Sequence, residues 1–374
     1  MKKLLVIFLC TALALSSVAC SLSNTESSNI AEGTTISETK EETKPATPKI
    51  VDDKMREQMD NTLKEFNFEG IVCLTKDGSI VYEWVTGKDE KGTDLTIDST
   101  LYLGSVSKQF CATAIMILRD QGKLSVDDTL DIYFPEYKYG KDITIKNLLS
   151  MRSGITDRLG GDVDINSISP DNTDSENTAA IKKSIFSQPL SFDPDTAMAY
   201  CNTNYFLLAN IVEQVSGQGY KEFVRENIFE PLGMKNSGFV DEVKDNPEWA
   251  SGITYNTFTA GEDCPGLTKG AGDVASNAAD MDAWMTGLSS GKVVSVETYR
   301  EMITDHSPDY GTRYGYGLQG MLSDSIGHAG HIGSYYALDL INEKSGYNLF
   351  IVSNRNSTRI RNLPYTLMKD LLAE

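Results

Sequence analysis

Strand patterns lie at the two ends of this chain and helical patterns fill its middle, a division that limits the fold more than any other feature. GIVCLTKDGSIVYEWVTG (70–87) alternates apolar and polar residues around Asp77 and Gly78, a turn pair that predicts a hairpin. Far downstream, RYGYGLQGML (313–322), SYYALDLIN (334–342) and NLFIVSN (348–354) again read as strands, the last two separated by the turn-like EKSG. VDDKMREQMDNTLKEFNF (51–68) has apolar residues at helical intervals, residues 107–120 form an apolar helix, and a closing helix is expected from about 358 to 372. The simplest arrangement is an α/β one: a single antiparallel sheet built from N-terminal and C-terminal strands and flanked by the end helices. Its two parts are expected at about 51–105 and 300–374, with a mostly helical domain, about 106–299, inserted between them. Ligand sites favour such seams, so reactive residues on both sides of the insertion are informative.

The first twenty residues, MKKLLVIFLCTALALSSVAC, read as a signal peptide: two lysines, a short apolar stretch, then small residues. Ser17, Val18 and Ala19 before Cys20 look like a bacterial lipobox, which predicts acylation of Cys20; a plain secretory leader is the alternative. Residues 21–50 are Ser, Thr and Glu with little that is apolar, and are expected to be a disordered tether. The expected location is therefore outside the cell, lipid-anchored to the outer face of a bacterial membrane or else secreted. With 53 acidic against 34 basic residues and no Lys/Arg-rich run in the interior, nucleic acid is excluded as a partner. Cys73, Cys111, Cys201 and Cys264 are even in number, which permits disulfides in an exported chain, while their wide spacing and apolar settings point to buried thiols. No C-x-x-C pair marks a zinc site.

Three stretches carry candidate chemistry. In YLGSVSKQFCATAIM (102–116), Ser105 and Lys108 stand three apart at a helix start and so share a face. A lysine among apolar neighbours loses solvation and becomes able to accept a proton; the plainer reading is a capping serine beside a solvated lysine. In AYCNTNYFLLANIV (199–212), Tyr200 and Asn202 offer a proton shuttle and an amide clamp, or else a capping turn. In IGHAGHIGSYYALDL (326–340), His328 and His331 sit among glycines that let backbone approach a ligand, ahead of a strand. Paired histidines also suit a metal, but no H-E-x-x-H or carboxylate cluster accompanies them.

Ser-Val-Ser-Lys at 105–108, Tyr-Cys-Asn at 200–202 and His-Ala-Gly at 328–330, in that order, resemble the penicillin-recognising serine hydrolases: class C β-lactamases, serine D-Ala-D-Ala carboxypeptidases, D-amino-acid peptidases and related esterases. GKLSVDDTLDIYFPEY (122–137), ITIKNLLSMRSGITD (143–157) and IFEPLGMKNSGF (228–239) look like that family's connecting segments, so the likeness covers roughly residues 60–370. The resemblance implies the β-lactamase/transpeptidase-like fold. It also implies Ser105 as acylated nucleophile, Lys108 as its proton acceptor and Tyr200 passing the proton onward. Asn202 would hold the amide of the substrate's acyl side chain, and His328 would stand where many relatives have the lysine of a K-T-G triad. The oxyanion hole would lie between the backbone N–H groups of Ser105 and of His331, just after Gly330. No metal or organic cofactor is implied.

Two departures qualify this. Cys201 replaces the usual small residue of the Tyr-x-Asn motif and adds an oxidisable thiol. His-Ala-Gly replaces a permanent cation with a group only partly charged near neutral pH, which favours peptidase or esterase activity over strong β-lactamase activity. The expected function is a covalent acyl-enzyme hydrolase of small amides or esters of D-amino-acid or peptidoglycan character, with cell wall as a possible partner. The alternatives are a class C-like β-lactamase and a penicillin-binding sensor that does not turn over. Gly-Leu-Ser-Ser-Gly (287–291) mimics a nucleophile elbow, but a helical pattern rather than a strand precedes it, so Ser289 is expected in the loop ending that helix.

Overall fold

A computed structural model describes residues 51–372 except 160–167, 244, 253–263, 265, 309–310, 312, 322–323 and 356–359. The expected leader, Cys20 and the expected tether lie outside the described residues. The folded part opens with α1 (Asp53–Phe66), capped when the Asp52 side chain accepts from the Met55 amide and closed by Asn67 in a left-handed conformation. Its buried residues, Met55, Met59 and Leu63, repeat every fourth position and form one apolar stripe.

Six strands form one antiparallel sheet. They are β1 (Gly70–Lys76), β2 (Ser79–Thr86), β6 (Gln319–Gly320), β7 (Ser325–Ile332), β8 (Tyr335–Asn342) and β9 (Tyr347–Ser353), in the order β2-β1-β9-β8-β7-β6. The join between the two ends of the chain is the β1–β9 pair, with Val72 opposite Ile351. Period-two alternation then divides the sheet between two cores. Val72, Leu74, Leu349 and Ile351 pack on α1 and the closing helix α5 (Leu363–Leu372), while Ile71, Cys73, Phe350 and Val352 face the main core. The main core is centred on α2 (Ser107–Asp120), whose residues 107–118 are all buried, and includes α3 (Asn202–Ser216) and α4 (Ala278–Ser289). Among the described residues, no helix is long and apolar enough to cross a membrane.

Two sequence expectations change. Of the described residues of RYGYGLQGML, only Gln319–Gly320 form a strand, β6, while Tyr314 bridges back to Gln319 across a bend at Tyr316 and Gly317. The His-Ala-Gly run does not merely lead into a strand but is itself strand β7, joined to β8 by a turn at Gly333 and Ser334. Beside the mostly helical middle, β3 (Leu101–Tyr102), β4 (Gly238–Phe239) and β5 (Val274–Ser276) form a second sheet in the order β3-β5-β4. That small sheet fixes the run-in to α2, because the Leu103 amide donates to Val274 O and the Val274 amide donates to Ser107 Oγ.

Candidate active site

Between β3 and α2 the chain makes a single 3-10 turn, Gly104–Val106, with Gly104 at φ +53°. The turn sets Ser105 at the surface of the core, partly exposed, while Lys108 one turn on is wholly buried. Lys108 Nζ lies 3.1 Å from Ser105 Oγ, 2.8 Å from Asn202 Oδ1 and 2.6 Å from the Ala271 carbonyl oxygen. Those three acceptors match the three hydrogens of an ammonium. Burial nevertheless lowers its pKa to about 7, against the opposing pull of the Asp157 carboxylate. The lysine is therefore poised between base and acid near neutrality.

Tyr200 and Asn202 approach from the loop into α3. The Tyr200 ring centre is 4.9 Å from Lys108 Nζ, and the residue is 40% exposed, which leaves it open to a ligand. The start of α3 is not capped by its own residue: Cys201 makes no side-chain cap, and the Thr203 amide donates to Asp157 Oδ1 at 3.1 Å. Cys201 itself is buried with its thiol directed to Ile155 O, and burial pushes its pKa up, so the thiolate that oxidation requires is disfavoured.

Strand β7 closes the far side. Ile326 belongs to the main core, so by the period of two His328 and Gly330 share its face, and the His331 side chain is exposed. A Cβ on Gly330 would lie 1.8 Å from Leu103 O and 2.9 Å from the Ser105 nitrogen, so only glycine allows this approach. A Cβ on Gly104 would in turn lie 3.0 Å from the His331 nitrogen. The backbone at His331 thereby lies close against the turn that carries Ser105.

His328 differs from its expected partial charge. It is 1% exposed, and burial together with the nearby Lys108 holds its pKa down to about 3. Its Nδ1 stands 2.7 Å from the Ala329 carbonyl oxygen, which can only accept, so the proton is on Nδ1. Nε2 then accepts from the Tyr314 hydroxyl at 3.2 Å, while the neighbouring Tyr205 hydroxyl donates to Leu149 O. The ring is neutral and fixed in one tautomer.

Tyr314 and Asp157 are absent from the sequence reading. Tyr314 lies within RYGYG and Asp157 ends ITIKNLLSMRSGITD, but no local spacing ties either to the reactive residues. Ser289 is the last residue of α4, its hydroxyl donating to Met285 O, and the helix before it rules out an elbow. Among the described residues no disulfide links Cys73, Cys111, Cys201 or Cys264, and all four are buried. Among the described residues no three His, Cys, Asp or Glu side chains are grouped as a metal site requires.

A model of the β-lactamase family matches residues 51–373. This chain belongs to the β-lactamase family. Its relatives include PbpX of Bacillus subtilis, a protein assigned to the penicillin-binding proteins, 31% identical over 75% of this chain and 70% of that one. A teichoic acid D-alanine hydrolase of Staphylococcus aureus is 24% identical over 85% of this chain and 79% of its own. Among solved structures, the octameric penicillin-binding protein homologue from Pyrococcus abyssi superposes with a TM-score of 0.71 at 26% identity, covering 86% of this chain and 77% of that one. The β-lactamase/transpeptidase-like fold is thus shown, and with it a serine hydrolase of this family.

Proposed function

We propose that this β-lactamase-family protein hydrolyses small D-amino-acid esters and amides, D-alanyl esters of a wall polymer foremost, through an acyl-enzyme on Ser105. The observation that carries the reading is the 3.1 Å contact between Ser105 Oγ and a buried Lys108 amine with a lowered pKa. Ser105 Oγ bonds to the substrate carbonyl carbon as its proton passes to Lys108, and the carbonyl oxygen becomes an oxyanion facing the Ser105 and His331 amides. Tyr200 relays the proton to the leaving alcohol or amine as the old C–O or C–N bond breaks. Water then attacks the acyl-enzyme and frees Ser105. Asn202 keeps a second lone pair and a second N–H beyond its protein contacts, which suits the acyl-side amide or amine.

His328 decides among substrates. Where the family resemblance places a lysine, this protein has a neutral ring, so a leaving group bearing a carboxylate gains no ion pair there. Esters and simple amides are favoured over D-Ala-D-Ala peptides and β-lactams. The name of the staphylococcal relative points the same way. Export and acylation of Cys20 are part of the proposal, resting on the lipobox-like residues 17–20.

The test compares a chromogenic D-alanyl ester, a D-Ala-D-Ala peptide and nitrocefin, with intact mass measured after a β-lactam. Turnover of the ester, and loss of more than about 10³-fold in Ser105→Ala, is expected. Faster turnover of nitrocefin than of the ester would favour a β-lactamase. A β-lactam adduct that persists without ester turnover would favour a sensor.

A further inference from the structure

Asp157 lies outside any helix or strand and meets α3 across 45 residues of sequence. Its Oδ1 accepts from the Thr203 amide (3.1 Å), the Thr203 hydroxyl (3.0 Å) and the Leu159 amide (3.1 Å), while its Oδ2 accepts from Asn202 Nδ2 at 3.0 Å. A carboxylate can only accept, so the partner it faces on Asn202 must be the NH2 end. The other end of the same planar amide, Oδ1, is thereby turned to Lys108 Nζ at 2.8 Å. We propose that Asp157 is a positioning residue, whose carboxylate fixes which end of the Asn202 carboxamide faces the Lys108 amine and the substrate. This rests on the reading of Lys108 as the base.

The consequence has a definite sign. In Asp157→Asn, the retained oxygen keeps the Thr203 and Leu159 donors, and the new NH2 meets the NH2 of Asn202. Relief comes from a flip of Asn202, which then offers NH2 rather than oxygen to Lys108. Lys108 loses both an acceptor and a nearby negative charge, and each loss disfavours its ammonium form. The other groups around Lys108 are Ser105, the Ala271 carbonyl, the Tyr200 and Tyr205 rings, Cys111, Cys201, Asp273 and neutral His328. All are unchanged by the substitution. Asp273, whose own pKa burial raises to about 7, is retained in every variant.

The experiment follows phosphonylation of Ser105 by a fluorophosphonate, read by intact mass from pH 5 to 9. The Oγ–P bond forms, the P–F bond breaks, fluoride leaves, and the hydroxyl proton goes to Lys108. The reagent has no acyl amide for Asn202 to hold, so substrate affinity does not enter. Below its midpoint the rate falls as Lys108 gains a proton. In Asp157→Asn the midpoint is expected to move down by about one pH unit, a tenfold change in the lysine's proton affinity. Asp157→Glu, which keeps the charge, is expected to return it toward the wild-type value. If Asp157→Asn does not fold, Asp157→Ser, which keeps an acceptor for Thr203, is expected to shift the midpoint in the same direction. An unmoved midpoint, whether or not the rate falls with the melting temperature, overturns the positioning role alone. Equal labelling of Ser105→Ala overturns the serine reading and the proposal together.

Discussion

Lys108 shows how one residue's chemistry follows from where its helix lies. Residues 107–118 of α2 are buried all round, so the amine is shielded from water and its charge is supported by three acceptors, the Tyr200 and Tyr205 rings and the field of nearby carboxylates. A base with a pKa of about 7 carries no activity when protonated, so kcat/KM for the ester should fall tenfold per unit below about pH 7. The same group should destabilise the fold with a set pH dependence. Its folded pKa lies below the unfolded value near 10.5, so the cost of the buried charge grows as pH falls from that value toward 7 and is full below it. Lys108→Met should therefore abolish activity, and its melting temperature relative to wild type should be more favourable at pH 6 than at pH 9. An equal difference at both values would mean the lysine keeps its solution pKa. The Ser-x-x-Lys spacing made this pair legible in the sequence, because three residues on a helix are neighbours. Asp157 and Tyr314 were not legible, since their bonds to Asn202 and His328 join separate loops and strands, and no periodicity encodes such a contact.

Strand β7 was the element hardest to read, and the reason is its glycines. A run such as IGHAGHIG lacks the β-branched density of a strand, yet its glycines are what allow it to lie against the turn that bears Ser105. By contrast β8 and β9 were legible, because both cores take apolar residues from alternate positions and the segment between is a short turn. The small second sheet escaped notice because its strands are only two or three residues long, too short for a period to register. The close approach at Gly330 yields a prediction at this scale. In Gly330→Ala the methyl group cannot coexist with Leu103 O, so β7 must shift away from the turn. The stability loss should be about 1–3 kcal/mol, as for other overpacked sites. Activity should fall much further, by about 10²–10³-fold, because the amides of Ser105 and His331 separate. Measured by kcat alongside thermal melting, a loss no larger than the unfolded fraction would show that the paired amides do not bind the oxyanion.

Across the whole molecule, the β1–β9 pair brings residues from both ends of the chain into one sheet, and the reactive groups collect where that sheet meets α2 and α3. The strands at the two ends of the sequence announced this architecture. Charge adds a constraint of its own. Residues 1–50 hold five acidic and five basic side chains, so the folded domain carries the entire formal charge of −19. Bacterial membrane surfaces are anionic, and a domain of the same sign is repelled by them. Under the proposal of export, residence at the membrane would need a hold other than the domain's charge, which acylation of Cys20 would provide. The repulsion also gives the anchor a clear readout, since nothing in the domain's charge would retain a released protein. In a Gram-positive host fed an alkyne fatty acid, wild-type protein carrying its leader should be labelled and sediment with membranes. Cys20→Ser should be unlabelled and should appear in the medium. Retention of the unlabelled variant on washed membranes would mean that another part of the chain supplies the hold, and a wild-type protein without label would mean that the lipobox-like residues 17–20 do not act as one.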